Sequence, residues 1–248
     1  MIAIKNSREL AAMREACVLS ARALQLGGEA VEPGVTTAEI DRLIRKYLES
    51  QGAKPSFLGY GGYPAAACIS VNETVIHGIP DNRVIKAGDI VSIDVGAYLN
   101  GFHGDNAATF AAGDVSPEAQ ALMNATRESL YEGIAQATAG NRVGDISAAV
   151  QRYVEMRGYS VVRQFVGHGV GTNLHEDPSV PNFGTPGRGP RLLPGMTLAI
   201  EPMINIGTPD VEILRDGWTT VTKDGKLSAH FEHTVAITKD GPVILTMP

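Results

Sequence analysis

The stretch Ile90-Val91-Ser92-Ile93-Asp94-Val95-Gly96-Ala97-Tyr98-Leu99-Asn100-Gly101-Phe102-His103-Gly104-Asp105 carries the pattern that decides the fold. Ile90 to Tyr98 alternates as a strand does, and Asn100-Gly101 is a strong two-residue hairpin turn. If Leu99 pairs with Phe102, partner numbers sum to 201, so Asp105 lies opposite Gly96 and Asp94 opposite Ala107. Both carboxylates then share one face as diagonal neighbours, roughly 7–8 Å apart at the backbone. Two like charges facing each other among apolar strand residues are costly unless protonated or bound to a cation. The plainer alternative is that one caps a turn and the other is solvated.

Outward from this hairpin, further runs read as strands: Ala66–Ile69 and Ala107–Phe110, then Val161–Phe165, Thr197–Ile200, Thr219–Val221 and His233–Thr238. Loops rich in Gly and Pro separate them, notably Asn182 to Gly195. Ahead of each group stand two helices. Ser7 to Leu26 has apolar residues at helical spacing and is expected to end at Gly27-Gly28. Thr36 with Glu39 is a capping box opening a second helix, which buries Ile40, Leu43, Ile44, Tyr47 and Leu48 and stops at Gly52. A third helix is expected from Pro117 to about Ala137. The fourth reproduces the second: Gly140, Ile146, Tyr153, Glu155 and Gly158 match Gly34, Ile40, Tyr47, Glu49 and Gly52 at a constant offset of 106 residues. Two helices and three strands, twice, suggest an internal duplication. The fold class is α+β, with helices covering an antiparallel sheet in two similar halves, about 1–113 and 114–248, of a single domain 1–248.

Composition narrows the class. The 248 residues are 44% hydrophobic and 19% charged, which excludes a disordered chain and a coiled coil. A net charge of −6 gives no general phosphate-binding surface, so no specific nucleic acid is expected. Cys17 and Cys68 are too few for a disulfide framework or a thiolate zinc site. No apolar run is long enough for a membrane span or a signal segment, so a cytoplasmic protein with no membrane partner is expected.

Beyond Asp94 and Asp105, three segments carry chemistry. Gly167-His168-Gly169 leaves an imidazole unshielded, with His175-Glu176 close behind. Ile200-Glu201-Pro202 and Phe231-Glu232-His233 each set a glutamate in apolar strand sequence, where a charge needs a partner. Each alone reads equally well as a solvated edge residue. Together, two Asp, two Glu and one His form an oxygen-rich set suited to manganese, iron, cobalt or zinc. Four carboxylates balance two divalent cations, and a two-metal site can orient a hydrolysis.

Several ordered segments make the sequence resemble the type I methionine aminopeptidases, in their short bacterial form, of the pita-bread fold. They are Tyr60-Gly61-Gly62-Tyr63-Pro64, Val71-Asn72-Glu73, His77-Gly78-Ile79-Pro80, Ile93-Asp94-Val95, Gly101-Phe102-His103-Gly104-Asp105, Gly167-His168-Gly169, His175-Glu176, Ile200-Glu201-Pro202-Met203, Asp216-Gly217-Trp218 and Glu232-His233-Thr234. The resemblance implies removal of N-terminal methionine, from peptides and nascent chains, when the second residue is small. It implies one metal held by Asp94, Asp105 and Glu232 and another by Asp105, His168, Glu201 and Glu232. His175 is implied to bond the scissile carbonyl, His77 the following peptide unit, and Glu201 to shuttle the proton. The methionine pocket is implied at Tyr60, Tyr63, Cys68, Trp218 and Met203, with Phe57 and Leu174 nearby. Phe57, Leu174 and His230 depart from the commoner Cys, Phe and Gln. His103 shares the face of Asp105, but the family does not use it as a ligand. A monomer is expected, and ribosome docking is left open. The alternatives are an Xaa-Pro peptidase of the same fold and a non-catalytic binding protein; the second is disfavoured because all five ligands are present.

Overall fold

Asn100 (φ 52°) and Gly101 (φ 86°) both adopt left-handed backbone, as a primed two-residue turn requires. In this computed structural model, which describes residues 1–247, that turn joins two long antiparallel strands of a larger sheet. Its members include β1 (Ala67–Val71), β2 (Ile90–Leu99), β3 (Phe102–Ala111), β4 (Gly167–Gly169), β5 (Glu176–Val180), β6 (Thr197–Ile200) and β7 (Glu232–Thr238). The spatial order is Lys54–Pro55, β2, β3, β7, β6, β4, β5, while β1 also pairs with β2 and Gly241–Ile244 with β7. Every pairing is antiparallel. The hairpin register is the expected one: Leu99 opposes Phe102, Gly96 opposes Asp105 and Asp94 opposes Ala107.

Four helices accompany the sheet: α1 (Ser7–Glu29), α2 (Thr37–Ser50), α3 (Pro117–Gln136) and α4 (Val143–Glu155). The Thr36–Glu39 capping box forms, and Ile40, Ile44 and Leu48 are wholly buried against β1 and β2. On the other side of the molecule, Leu130, Ile134 and Ile146 of the second helix pair pack on Leu198, Ile200 and Val235 of β6 and β7. Each half of the sheet thus gains its own apolar cover, and burying those stripes stabilises each layer by roughly 25 cal/mol per Å² of apolar surface.

Two expectations are corrected. The first helix does not stop at Gly27-Gly28 but continues to Glu29. Those glycines serve packing: a Cβ would stand 2.7 Å from Ile44 Cδ1 at Gly27 and 2.2 Å from the Phe110 ring at Gly28. The run Val161–Phe165 yields strand only over Ser160–Val161. Among the described residues no helix is long and apolar enough to cross a membrane.

Candidate active site

Strand register places the acidic residues. Cross-strand partners share a face, as do residues two apart in one strand. Asp94 and Glu232 both oppose Ala107, and Asp105 lies two residues from Ala107. His168 opposes Ala199, which opposes Thr234, two residues from Glu232. Glu201, just past the end of β6, continues the face of Ala199. Five ligand-type side chains from five places in the chain therefore converge on one surface of the sheet.

The ring of His168 donates from Nδ1 to the carbonyl of Gly169 at 2.8 Å, since a carbonyl only accepts. Burial, with His175 close by, lowers its pKa to about 3, so the imidazole is neutral and Nε2 carries a bare lone pair. That nitrogen faces Asp105 Oδ2 at 3.8 Å and Glu201 Oε1 at 3.6 Å, beyond hydrogen-bond reach of both. One ligand atom each from Asp105, His168 and Glu232 lie within 4.8 Å of one another. Asp94 Oδ1, Asp105 Oδ1 and Glu232 Oε1 are buried without a hydrogen-bond partner. Burial first, then the neighbouring acids, raises the carboxyls of Asp94, Glu201 and Glu232 well above their usual range; burial raises that of Asp105 to about 7. Buried carboxylate oxygens that lack partners and sit among other acids are costly when ionised, and a divalent cation would supply their missing counter-charge; the mixed oxygen and imidazole set suits a borderline one.

The cluster forms one end of a cavity of about 150 Å³. Phe57, Tyr60, Tyr63, Cys68, Leu174 and Trp218 form its apolar wall, and Asp94, Asp105, His168, Glu201 and Glu232 its acidic end, with His77 and His175 between. A space of this size holds one benzene-sized apolar group. Tyr63 sets its hydroxyl on the carbonyl of Gly78 at 2.9 Å and meets Trp218 edge to face at 5.2 Å. His77 is held at φ 57°, in the left-handed region, with the rings of Phe165 and Trp218 nearly perpendicular to its own. Its pKa is lowered to about 4 by burial and then by His175. A non-glycine residue fixed there costs of order 1–3 kcal/mol and marks a position the surroundings over-determine.

Met203 departs from expectation. It does not line this cavity but lies in a separate buried cluster with Val75, Val162 and Val211. Past Pro202 the chain leaves β6, and Met203–Asn205 joins a different sheet beside Ser228–His230. Phe57 and Leu174, expected only nearby, are wall residues. His103 points elsewhere, to Ser56 Oγ at 2.9 Å and the Tyr98 ring, in keeping with its omission from the ligands. His230 is buried, its Nε2 unpartnered and 3.6 Å from Glu201 Oε2. Two contacts were not foreseen. Tyr60 Oη lies 2.7 Å from His175 Nδ1, and Lys5 Nζ lies 2.6 Å from Glu176 Oε2. The adjacency of Glu176 to His175 was the one available signal for the second; nothing around Lys5 distinguishes it from a surface lysine.

An antiparallel sheet under two helix pairs, with acids and an imidazole gathered on its face in a set that fits a cation, defines a metalloprotein of pita-bread architecture. The profile of metallopeptidase family M24 matches residues 11–239, and the chain belongs to that family. It is 56% identical over 247 residues to a methionine aminopeptidase of Clostridium perfringens, covering 100% of this chain and 99% of that one. The crystal structure of a methionine aminopeptidase from Thermotoga maritima superposes with a TM-score of 0.98 at 46% identity, each chain fully covered. A prolidase from Pyrococcus horikoshii shares the fold at 22% identity and TM-score 0.79, over 98% of this chain and 63% of that one.

Proposed function

We propose that the chain removes the N-terminal methionine of peptides and nascent proteins when the second residue is small. The observation that carries this reading is a single cavity of about 150 Å³ that joins an apolar, aromatic wall to the acidic cluster. It accepts one unbranched apolar side chain and delivers the adjoining peptide bond to the acids. Tyr63 and Trp218 offer ring edges and faces to a thioether. The near identity in length and fold with methionine aminopeptidases supports it, whereas the Xaa-Pro peptidases share the fold at a third less coverage of their own chains.

Asp94, Asp105, His168, Glu201 and Glu232 would hold two divalent cations among manganese, iron, cobalt and zinc. Such ions supply Lewis acidity and a water ionised near neutral pH. The protein's own groups do the rest. With the Tyr60 hydroxyl donating to His175 Nδ1, the proton of His175 resides on Nε2, where it serves the oxygen of the scissile carbonyl. His77, neutral, bonds the peptide unit that follows. Glu201 carries a proton on its carboxylate toward the leaving amine. The second residue lies against the wall near His77, where a long side chain has little room.

The test is a peptide panel varying the first two residues, run on protein reconstituted separately with each of the four metals and read as kcat/KM. Met-Gly, Met-Ala and Met-Ser peptides are cleaved; Met-Leu, Met-Lys and Met-Phe are not. Leucine in first place is poorer by about 1–3 kcal/mol. Preference for Xaa-Pro bonds after other first residues, or equal rates with Gly and Leu in second place, overturns the reading.

A further inference from the structure

The segment 170–176 carries two cavity residues, Leu174 and His175, yet lies outside any helix and only its last residue belongs to a strand. Its interior is filled by one carboxylate. Glu176 Oε1 accepts from the backbone N–H of Asn173 at 3.1 Å and from the Thr172 hydroxyl at 3.3 Å. The other oxygen is held by Lys5 Nζ at 2.6 Å, and the two side chains are only 5% and 8% exposed. No other cation pairs with Glu176 among the described residues. Gly171 lets the pair close: a Cβ there would stand 2.6 Å from Lys5 Cε and 2.7 Å from both Nζ and Glu176 Oε1. Lys5 and the start of the turn are anchored independently. Lys5 donates its backbone N–H to Gly195 at 2.8 Å, and the Gly171 carbonyl accepts from His103 N–H at 2.8 Å.

We propose that Lys5 is a positioning residue for the aminopeptidase reaction: its ammonium, through Glu176, fixes the turn that sets His175 and Leu174 against the substrate. The inference rests on the function proposed above and adds to it a residue far from the acidic cluster in sequence. A buried carboxylate with only loop hydrogen bonds has no counter-charge, and removing one partner of a buried pair strands the other. Without Lys5, Glu176 turns outward for water and takes the turn with it. His175 then loses its place relative to the carbonyl oxygen, and a displacement of ~1 Å at such a donor costs about 10²-fold in rate.

Lys5→Met keeps the aliphatic stem and removes the charge. It is expected to lower kcat on a Met-Gly-Met peptide by about tenfold to a hundredfold and, through Leu174, to raise KM, leaving metal content per chain near wild type. Lys5→Arg recovers part of the loss. In a His175→Ala background, Lys5→Met produces no further drop, because the residue acts through His175; a merely structural lysine would give additive losses. Amide hydrogen exchange at 172–176 rises in Lys5→Met while exchange in β2 and β3 does not. Lys5→Met/Glu176→Gln, which strands no charge, serves where the single variant folds poorly: it loses the ammonium's hold but has no charge to solvate, so exchange at 172–176 rises by less than in Lys5→Met, and its smaller loss of kcat again disappears in the His175→Ala background, where an additive loss would overturn the proposal. Additive losses with His175→Ala, or unchanged kcat and exchange in Lys5→Met, overturn the proposal. A wild-type protein inactive on the peptide panel overturns the functional reading instead, and the exchange measurement still decides whether Lys5 holds the turn.

Discussion

His168 and His175 sit with ring centroids 4.2 Å apart, yet their hydrogen bonds give them opposite duties. His168 spends its proton on the Gly169 carbonyl and offers a lone pair to the acids. His175 has a phenol on Nδ1, which in the proposed reaction leaves Nε2 for the substrate oxygen. Alanine at each therefore gives different results. His168→Ala lowers metal content by elemental analysis, whereas His175→Ala retains metal and slows turnover by about 10²–10³, roughly 2.7–4 kcal/mol. Tyr60→Phe leaves the tautomer of His175 unfixed and should cost less than His175→Ala, with kcat falling and KM little changed. Metal loss in His175→Ala would make that residue a ligand and reverse its role. At Glu232, a buried carboxylate with an unpartnered oxygen, substitution to Gln removes charge but little volume. Peptidase activity and metal content should fall together; full occupancy with normal turnover would remove Glu232 from the ligand set.

At the scale of elements, α1 lies so close on the hairpin that Gly104 faces helix backbone directly. A Cβ there would stand 2.5 Å from both Cys17 N and Cα, and neither side of the contact can turn away. Gly28 faces the half-buried ring of Phe110, which can rotate, and alanine returns up to ~1 kcal/mol of helix propensity there. Gly104→Ala should thus destabilise by about 1–3 kcal/mol and Gly28→Ala by less, measured by urea unfolding; equal losses would refute the distinction. The same hairpin shows what a sequence can state about its fold. Period-two alternation and Asn100-Gly101 were sufficient for register, and register put Asp94 and Asp105 on one face. The rest of the acidic face was legible only as isolated charges in apolar runs, because its geometry depends on β7 pairing with β6 and β6 with β4. Gly167–Gly169 and Glu176–Val180 contain glycine, proline and charge, and are strands only because β6 and each other supply partners. Met203 was misplaced because nothing local announces that the chain changes sheets after Pro202. Gly27-Gly28 misled for a related reason: their role is to admit Ile44 and Phe110, residues distant in sequence.

Across the molecule as a whole, burial shifts two groups of ionisable side chains in opposite directions. His77, His103 and His233 are lowered to about 4 and His168 and His230 to about 3, each chiefly by burial. Unfolded, these imidazoles titrate near 6.5, so below that pH the unfolded chain binds more protons than the folded one and stability falls with acidification. Asp94, Asp105, Glu201 and Glu232 are raised instead. Their contribution is present below the unfolded carboxyl value near 4 and is lost as pH rises through the folded values, about 7 for Asp105. Chelator-treated protein should therefore show a peaked profile of Tm against pH, declining on the acid side through the histidines and on the alkaline side through the acids. On the proposed assignment, divalent cations would supply the counter-charge that the four carboxylates lack and would hold them ionised in the folded state. Saturating manganese should abolish the alkaline decline while leaving the acid limb, so that the stabilisation by metal grows from pH 5 to 8. Calorimetry across that range, with chelator and with metal, reads both limbs at once. A flat alkaline limb in the chelated protein would mean that these acids find their own partners when the cations are removed, and the metal centre would then have to be sought elsewhere on the sheet.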